Sequence, residues 1–244
     1  MDSNNNKNSL PLNNESVADS DIILYQEQKA DSRNRLSKKA TDITPIRAKK
    51  NYYDDADIKY FTRQEIKSLI DGTAEPFNKM LFLLLYETAG RVNEVRNVRF
   101  GDIDQSALRI KLLTLKQRSK SQIYRFLKIS DKLMSLILMN KIAYKLSDED
   151  YVLTKKPNGK AMTQQNIDYI IKKNVKTILG FFHKDKAHPH TFRHTRAIHL
   201  LDSGMNIMLL KNFLGHSNIS NTLIYLKYSN ADMAEAIDKA NLII

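Results

Sequence analysis

Cysteine is absent from this sequence of 244 residues, and long hydrophobic runs are absent as well. Without cysteine the chain cannot form disulfides or thiolate metal sites, and a reducing compartment is allowed. The longest apolar run extends only from Met80 to Tyr86, and a helix that spans a bilayer needs about 20 apolar residues. The amino terminus is polar and rich in asparagine, unlike a signal peptide. These features predict a cytoplasmic protein with no membrane partner.

Negative charge is also scarce relative to positive charge. The chain has 39 Lys and Arg residues against 27 Asp and Glu, a formal net charge of +12. Residues 1–56 hold nine of each sign, so the surplus, 30 bases over 18 acids, lies in residues 57–244. A compact basic domain attracts polyanions, nucleic acid first and anionic membrane second. An ordinary lysine-rich surface explains the charge equally well, so charge alone leaves both interpretations open.

Residues 1–56 are predicted to form a disordered or basic arm in front of a domain that spans residues 57–244. The first 14 residues are almost entirely polar and cannot bury enough apolar surface to offset the entropy of ordering. Residues 28–50 then carry eight basic side chains against two acidic ones. This pattern fits an arm along DNA phosphates, with Lys49 and Lys50 as candidate contacts, and fits a solvated tail equally well.

Hydrophobic periodicity predicts a mainly α fold with a small antiparallel β-sheet insertion. Thr62 and Glu65 have the spacing of a capping box, and Pro76 begins a second helix that Gly90 ends. Apolar residues that alternate on both sides of a polar turn at 117–121 predict two strands between residues 107 and 129. Further helices are predicted over residues 92–98, 131–146, 164–179, 191–201, 207–213, 220–226 and 231–240.

The segment His190-Thr191-Phe192-Arg193-His194 holds a candidate phosphate site. Residues three apart on a helix share a face, so His190 and Arg193 are expected to point together. An imidazole can move a proton while a guanidinium clamps two phosphate oxygens. The spacing of His190 and His194 also occurs in helical zinc sites, but the accompanying Glu and a strong third ligand are missing. We therefore predict no metal at this segment. The alternative to a phosphate site is that His190 is an ordinary surface or capping histidine.

Downstream, the segment from Leu214 to Tyr225 reads Leu-Gly-His-Ser-Asn-Ile-Ser-Asn-Thr-Leu-Ile-Tyr. His-x-x-Arg-His, a following Leu-Gly-His-Ser, and a tyrosine nine residues after that histidine together resemble the carboxy-terminal motif of the tyrosine recombinases, the phage integrase family. Upstream, Glu87–Val95 resembles the first-arginine motif of the family, and Asp102-Ile103-Asp104 follows it ahead of the sheet. The resemblance covers about residues 58–240 and implies the catalytic-domain fold of that family.

The resemblance implies a role for each matching residue. It assigns Tyr225 as the nucleophile that forms a phosphotyrosine with DNA, while Arg91 and Arg193 hold the scissile phosphate. His190 assists proton transfer and His216 hydrogen-bonds the phosphate. Two residues are supporting ones, Glu94 and His194. No cofactor is implied. Tyr228 lies one helical turn beyond Tyr225, but the family spacing selects Tyr225.

The family also places a lysine on the β-hairpin, where it protonates the departing 5′ oxygen. Lys116 and Lys120 are the candidates, and the position of Lys116 at the end of the first strand favours it. A hairpin tip rich in Lys and Arg, including Arg118, could equally grip the DNA backbone. The resemblance implies double-stranded DNA at a specific site as partner, and a homo-tetramer. The apolar stripe of the last predicted helix either docks on a neighbouring protomer or folds back on its own core.

Two departures from the family pattern limit the resemblance. The usual first motif is Thr-Gly-x-Arg, whereas this chain has Thr88-Ala89-Gly90-Arg91. We expect Gly90 to supply the positive φ that ends the helix. Most family members also carry a helical DNA-clamping domain ahead of the catalytic domain. Residues 1–56 do not have the length or the apolar pattern that would predict such a domain. DNA binding is therefore expected to be weak or to depend on a partner. A type IB topoisomerase or an inactive DNA-binding protein of the same fold are the alternatives.

Overall fold

The computed structural model describes residues 57–114 and 123–229. Their α-helices, in chain order, are α1 (Arg63–Gly72), α2 (Pro76–Thr88), α3 (Val92–Val95), α4 (Asp131–Ala143), α5 (Gln164–Ile178), α6 (Pro189–Asp202), α7 (Ile207–Leu214) and α8 (Ser220–Leu223). Short 3-10 helices span Phe100–Asp102, Phe181–Lys186 and Ile224–Lys227. No helix among these residues is long and apolar enough to cross a bilayer. The predicted mainly α fold with one small sheet is confirmed.

The sheet has three strands rather than the predicted two. The strands are β1 (Ile103–Asp104), β2 (Arg109–Thr114) and β3 (Ile123–Lys128), in the order β1-β2-β3 with antiparallel pairing. The segment expected to precede the sheet therefore forms its edge strand, because Ile103 pairs with Ile110. The predicted turn at residues 117–121 lies outside the described residues.

Local sequence signals fix where the first helices begin. The Thr62 hydroxyl accepts a hydrogen bond from the Glu65 backbone N–H at 3.1 Å, and the Glu65 carboxylate accepts from the Thr62 N–H at 2.7 Å. This is the predicted capping box, which satisfies two N–H groups of the first turn. Pro76 occupies the first turn of α2, where its missing N–H costs no hydrogen bond.

Helix α2 is the central element of the core. Its apolar run from Met80 to Leu85 is buried throughout, as a helix that is hydrophobic on all sides requires. Helix α6 packs against it, and the Phe192 ring of α6 lies 5.6 Å from the Phe82 ring, centroid to centroid. A second apolar cluster joins α6, α7 and the segment after α8. This cluster therefore holds together the segments that carry Arg193, His216 and Tyr225.

The end of α2 differs from the prediction. Ala89, not Gly90, has the left-handed conformation that ends the helix, with φ 45° and ψ 27°. Ala89 thus occupies the place of the glycine in the family pattern Thr-Gly-x-Arg. Gly90 is needed for space instead, because an added Cβ would lie 2.6 Å from Val95 Cγ2 and 3.0 Å from Leu112 Cδ2.

These two positions give a matched pair of substitutions. We expect Gly90→Ala to lower the free energy of unfolding by about 1–3 kcal/mol, because the added methyl group overpacks a closed space. Ala89→Gly should change it by less than about 1 kcal/mol, since relief of the left-handed strain is offset by a lost buried methyl group and a more flexible unfolded chain. Urea unfolding of the two variants measures both values. Equal effects would contradict this explanation.

Candidate active site

Two predicted site residues, Arg193 and His216, meet where α6 approaches the carboxy-terminal ends of α2 and α7. The Arg193 guanidinium is 4% exposed. It donates to the backbone oxygen of Ala89 at 2.7 Å and to that of Leu214 at 2.8 Å. It also lies 2.8 Å from His216 Nε2. Burial, followed by the nearby positive charge of Arg91, lowers the pKa of Arg193 to about 10. The group is therefore still a cation at neutral pH, and it ties the Ala89 turn to the end of α7.

His216 follows the left-handed Gly215, φ 65°, that ends α7. Its Nδ1 lies 2.9 Å from the Thr222 hydroxyl. Because a guanidinium can only donate, Nε2 must carry a lone pair toward Arg193, so Nδ1 carries the proton and donates to Thr222. Burial, then the charge of Arg193, lowers the pKa of His216 to about 3. The imidazole is neutral at physiological pH and fixed in one tautomer.

Arg91 precedes α3 and keeps part of its surface open. Its side chain is 23% exposed, and its Nη1 donates to Glu94 Oε1 at 2.8 Å. The Glu94 carboxylate, whose side chain is 0% exposed, reaches back to accept the Arg91 backbone N–H at 3.1 Å. Glu94 therefore braces both the main chain and the side chain of Arg91, in keeping with a supporting role.

Tyr225 is buried, with 2% of its surface exposed. Its hydroxyl lies 3.0 Å from His194 Nδ1. The imidazole in contact with the Tyr225 hydroxyl is therefore that of His194, which was predicted only as a supporting residue. His190 is exposed, and its ring centroid lies 6.3 Å from that of His194. Burial, then the positive charges of His190 and Arg193, lowers the pKa of His194 to about 4.

Tyr228 is held in a different place. Its hydroxyl accepts a hydrogen bond from the Ile58 backbone N–H at 3.0 Å, and its ring meets that of Tyr60 edge-on at 6.1 Å. These contacts tie it to the first described residues rather than to the histidines of α6. The two tyrosines therefore have different surroundings, although they lie three residues apart.

Sequence reasoning missed one buried cation of this site. Arg125 on β3 is 8% exposed, and its Nη2 lies 2.6 Å from Glu94 Oε2. The signal was present in the strand alternation, because Arg125 and Leu127 are both in the inward phase, whereas Phe126 between them is 66% exposed. The remaining predicted residues lie outside the described part of the chain: Lys49, Lys50, Lys116, Arg118 and Lys120.

The buried histidines predict a stability that falls in acid. The folded pKa values of His194 and His216, about 4 and about 3, lie below the unfolded value of about 6.5. The unfolded chain therefore binds protons first, so stability is complete above pH 6.5 and is lost as the pH falls toward these folded values. Each histidine should cost about 1.4 kcal/mol per pH unit within that window.

Urea unfolding between pH 7.5 and 5 measures this loss. We expect the pH slope to become shallower in His194→Gln and in His216→Gln, since each variant removes one titrating group. A wild-type slope in both variants would assign the acid sensitivity to other groups.

Several known proteins are similar to this chain in sequence. The model of the phage integrase family matches residues 59–231. The tyrosine recombinase XerA of Pyrococcus horikoshii is 29% identical over 76% of this chain and 62% of its own length, and a tyrosine recombinase of Pseudothermotoga lettingae is 31% identical over 72% and 58%. The chain thus spans about three fifths of the length of the curated relatives it matches.

Solved structures match the same region. A crystal structure of XerA recombinase superposes with a TM-score of 0.59 at 20% identity, covering 75% of this chain and 62% of that one. The catalytic domain of bacteriophage HP1 integrase gives a TM-score of 0.52 at 22% identity, covering 75% of this chain and 95% of that domain. The chain therefore belongs to the phage integrase family, and its described residues have the fold of a tyrosine recombinase catalytic domain.

Proposed function

We propose that this chain is a site-specific DNA recombinase that cleaves and rejoins strands through a 3′-phosphotyrosine at Tyr225. The observation that carries the proposal is the charge of the site. The guanidiniums of Arg91 and Arg125 share the carboxylate of Glu94, and the Arg193 guanidinium is near enough to interact electrostatically with all three groups. The cluster has an excess of positive charge that a phosphodiester can neutralise, and the Arg91 side chain opens it to solvent.

In the proposed reaction, the Arg91 and Arg193 guanidiniums bind the non-bridging oxygens of the scissile phosphate. Fixed, permanently charged donors of this kind stabilise the negative charge that develops there in the transition state. The Tyr225 oxygen attacks phosphorus, the bond from phosphorus to the 5′ oxygen breaks, and the phosphate stays on the 3′ end. A 5′ hydroxyl then reverses the step and frees the tyrosine. Rejoining needs no nucleotide cofactor, because the phosphotyrosyl bond conserves the energy of the broken one.

Two protons move in this scheme. The phenolic proton leaves Tyr225, and a neutral imidazole can accept it at neutral pH. The family resemblance assigns this role to His190, and the contact at 3.0 Å makes His194 a second candidate. The departing 5′ oxygen gains a proton, for which Lys116 is proposed. Because only 2% of the Tyr225 surface is exposed, the tyrosine has to become accessible before its hydroxyl can reach a phosphate.

Double-stranded DNA is the proposed substrate, and a homo-tetramer on DNA is the proposed assembly. One structural neighbour is the XerH recombinase bound to its palindromic difH DNA after cleavage, with a TM-score of 0.60, 19% identity, and coverage of 74% of this chain and 52% of that one. The basic surplus in residues 57–244 supports the same partner. The helix that resemblance assigns to contacts between protomers, residues 231–240, lies outside the described residues.

A pool of nicked duplexes with randomised centres tests the reaction on many candidate target sequences at once. Cleavage just upstream of a nick releases a short strand, so the covalent intermediate is trapped and survives SDS. We expect adducts from the wild type and from Tyr228→Phe, and none from Tyr225→Phe. Sequencing of the trapped DNA then gives the preferred site.

The outcomes separate the competing functions. Failure of the wild type to trap any duplex that it binds would indicate a binding protein without catalysis. A plasmid with two copies of the recovered site distinguishes the two enzymes, because a recombinase yields rearranged circles and a type IB topoisomerase yields only relaxed ones.

A further inference from the structure

Arg125 is a cation at an inward position of the sheet. Its partner across the sheet is apolar, since Leu112 of β2 lies opposite it. Burial lowers its pKa from the usual arginine value, whereas the adjacent carboxylate of Glu94 raises it. A buried guanidinium is costly to desolvate, so a counter-charge and hydrogen bonds have to offset that cost. The role of Arg125 can therefore be inferred from its contacts.

The first contact connects Arg125 to Arg91. Arg125 Nη2 lies 2.6 Å from Glu94 Oε2, while Arg91 Nη1 lies 2.8 Å from Glu94 Oε1. The two arginines thus share one buried carboxylate, each on its own oxygen. With Arg125 in place, Glu94 cannot turn both oxygens toward Arg91, so part of the Arg91 fork remains available for another anion.

The second contact connects Arg125 to His216. Its Nη1 donates to the Phe213 backbone oxygen at 2.6 Å, and Arg193 binds the next carbonyl, that of Leu214. Its side chain also packs over Gly215, where an added Cβ would lie 3.0 Å from Nε and 3.1 Å from Cζ. Two buried arginines therefore hold the last carbonyl groups of α7, directly ahead of His216.

We propose that Arg125 is a positioning residue that orients two groups of one phosphate site: the Arg91 guanidinium, through Glu94, and the His216 imidazole that contacts Arg193, through Phe213 and Gly215. The proposal rests on the function proposed above for the same site. Arginine is required because its planar fork reaches two acceptors on two different elements at once. Lysine keeps the positive charge, but its single nitrogen cannot replace the contacts with both Glu94 and the Phe213 carbonyl. Lysine also lacks the planar group that packs over Gly215.

Arg125→Lys separates the position of this group from its charge, and NMR of His216 is the readout. In the wild type, ¹⁵N shifts should show the proton on Nδ1, and His216 should not titrate between pH 7.5 and 5. In Arg125→Lys we expect mixed tautomers and a pKa higher by about one unit or more, because the loop that holds the imidazole is no longer fixed.

Asn140→Leu is the matched control. Asn140 is buried and donates to the backbone oxygens of Val152 and Thr154, and it takes no part in the hydrogen bonds described for Arg91, Arg125 and Arg193. Its replacement should destabilise the fold while the His216 signals stay as in the wild type. If Arg125→Lys is also only less stable, with unchanged His216 signals, Arg125 is structural and the proposal is wrong.

The duplex recovered from the randomised pool provides a second readout. Arg125→Lys should slow adduct formation on the order of 10²-fold, the usual cost of a misplaced catalytic group, and leave the Kd for DNA within about twofold. Wild-type rates in this variant would overturn the proposal. If the wild type forms no adduct, the proposed function fails, but the NMR of His216 still decides the role of Arg125.

If Arg125→Lys does not fold, the proposal can still be tested on the wild type. The Nη1 and Nη2 protons of Arg125 should exchange with solvent much more slowly than those of the exposed Arg109, because these two nitrogens are hydrogen-bonded inside the fold. Equally fast exchange would show that the two contacts do not persist in solution and would refute the proposal.

Discussion

Arg193→Lys is expected to reduce strand cleavage by about 10³-fold or more, since it removes a bidentate donor at the developing charge of the phosphate. The loss has a structural part as well. Arg193 binds the carbonyl oxygens of Ala89 and Leu214 and contacts His216. A lysine nitrogen cannot reach all three, and each buried carbonyl left without a donor costs about 1–3 kcal/mol.

Arg196→Lys is the control on the same helix. Arg196 lies over the Tyr86 ring, with 5.0 Å between Cζ and the ring centroid, and takes no part in the proposed reaction. Both variants are measured for adduct formation on the recovered duplex and for urea unfolding. Arg193 would not be a phosphate ligand if Arg193→Lys cleaved as fast as Arg196→Lys.

Glu94→Gln is expected to cause the largest loss of stability, about 3–5 kcal/mol, because it leaves the buried Arg125 and the partly exposed Arg91 without their counter-charge. Its carboxylate pairs with Arg91 at 2.8 Å and with Arg125 at 2.6 Å. A bound anion should replace part of the missing charge. Inorganic sulfate is therefore expected to raise the Tm of Glu94→Gln more than that of the wild type.

Glu87→Gln provides the comparison. Glu87 is similarly buried, but it accepts hydrogen bonds from the Ser130 backbone N–H and hydroxyl, at 2.8 and 2.7 Å, rather than from a cation. Its replacement should cost less and should give no added response to sulfate. The same Tm and the same sulfate response in both variants would show that the positive cluster does not depend on Glu94.

Local patterns predicted most of the fold, because they act through neighbours in the chain. The capping box at Thr62 and the apolar run of α2 require only residues within one or two turns. The end of α2 was predicted less well. Glycine is the usual left-handed residue, but here Gly90 lies in tight packing against Val95 and Leu112, and Ala89 has the positive φ. Tertiary contacts of this kind cannot be read from the residues near the end of α2 in the sequence.

The site was predictable where the family motifs name its residues, and less so where contacts cross the chain. The motifs selected Arg193 and His216, which the structure brings within 2.8 Å of each other. Arg125 was missed because a charged residue in a strand is normally expected on the outward face. Its inward position makes sense only with Glu94, which lies 31 residues earlier and on another element.

The central claim is that Tyr225 forms the covalent bond with DNA. Protease digestion of the SDS-resistant adduct, followed by mass spectrometry of the nucleotide-linked peptide, identifies the attached residue. We expect a phosphodiester link on Tyr225, with the DNA joined through its 3′ phosphate. A link on Tyr228 or on any other residue, or through a 5′ phosphate, would contradict it.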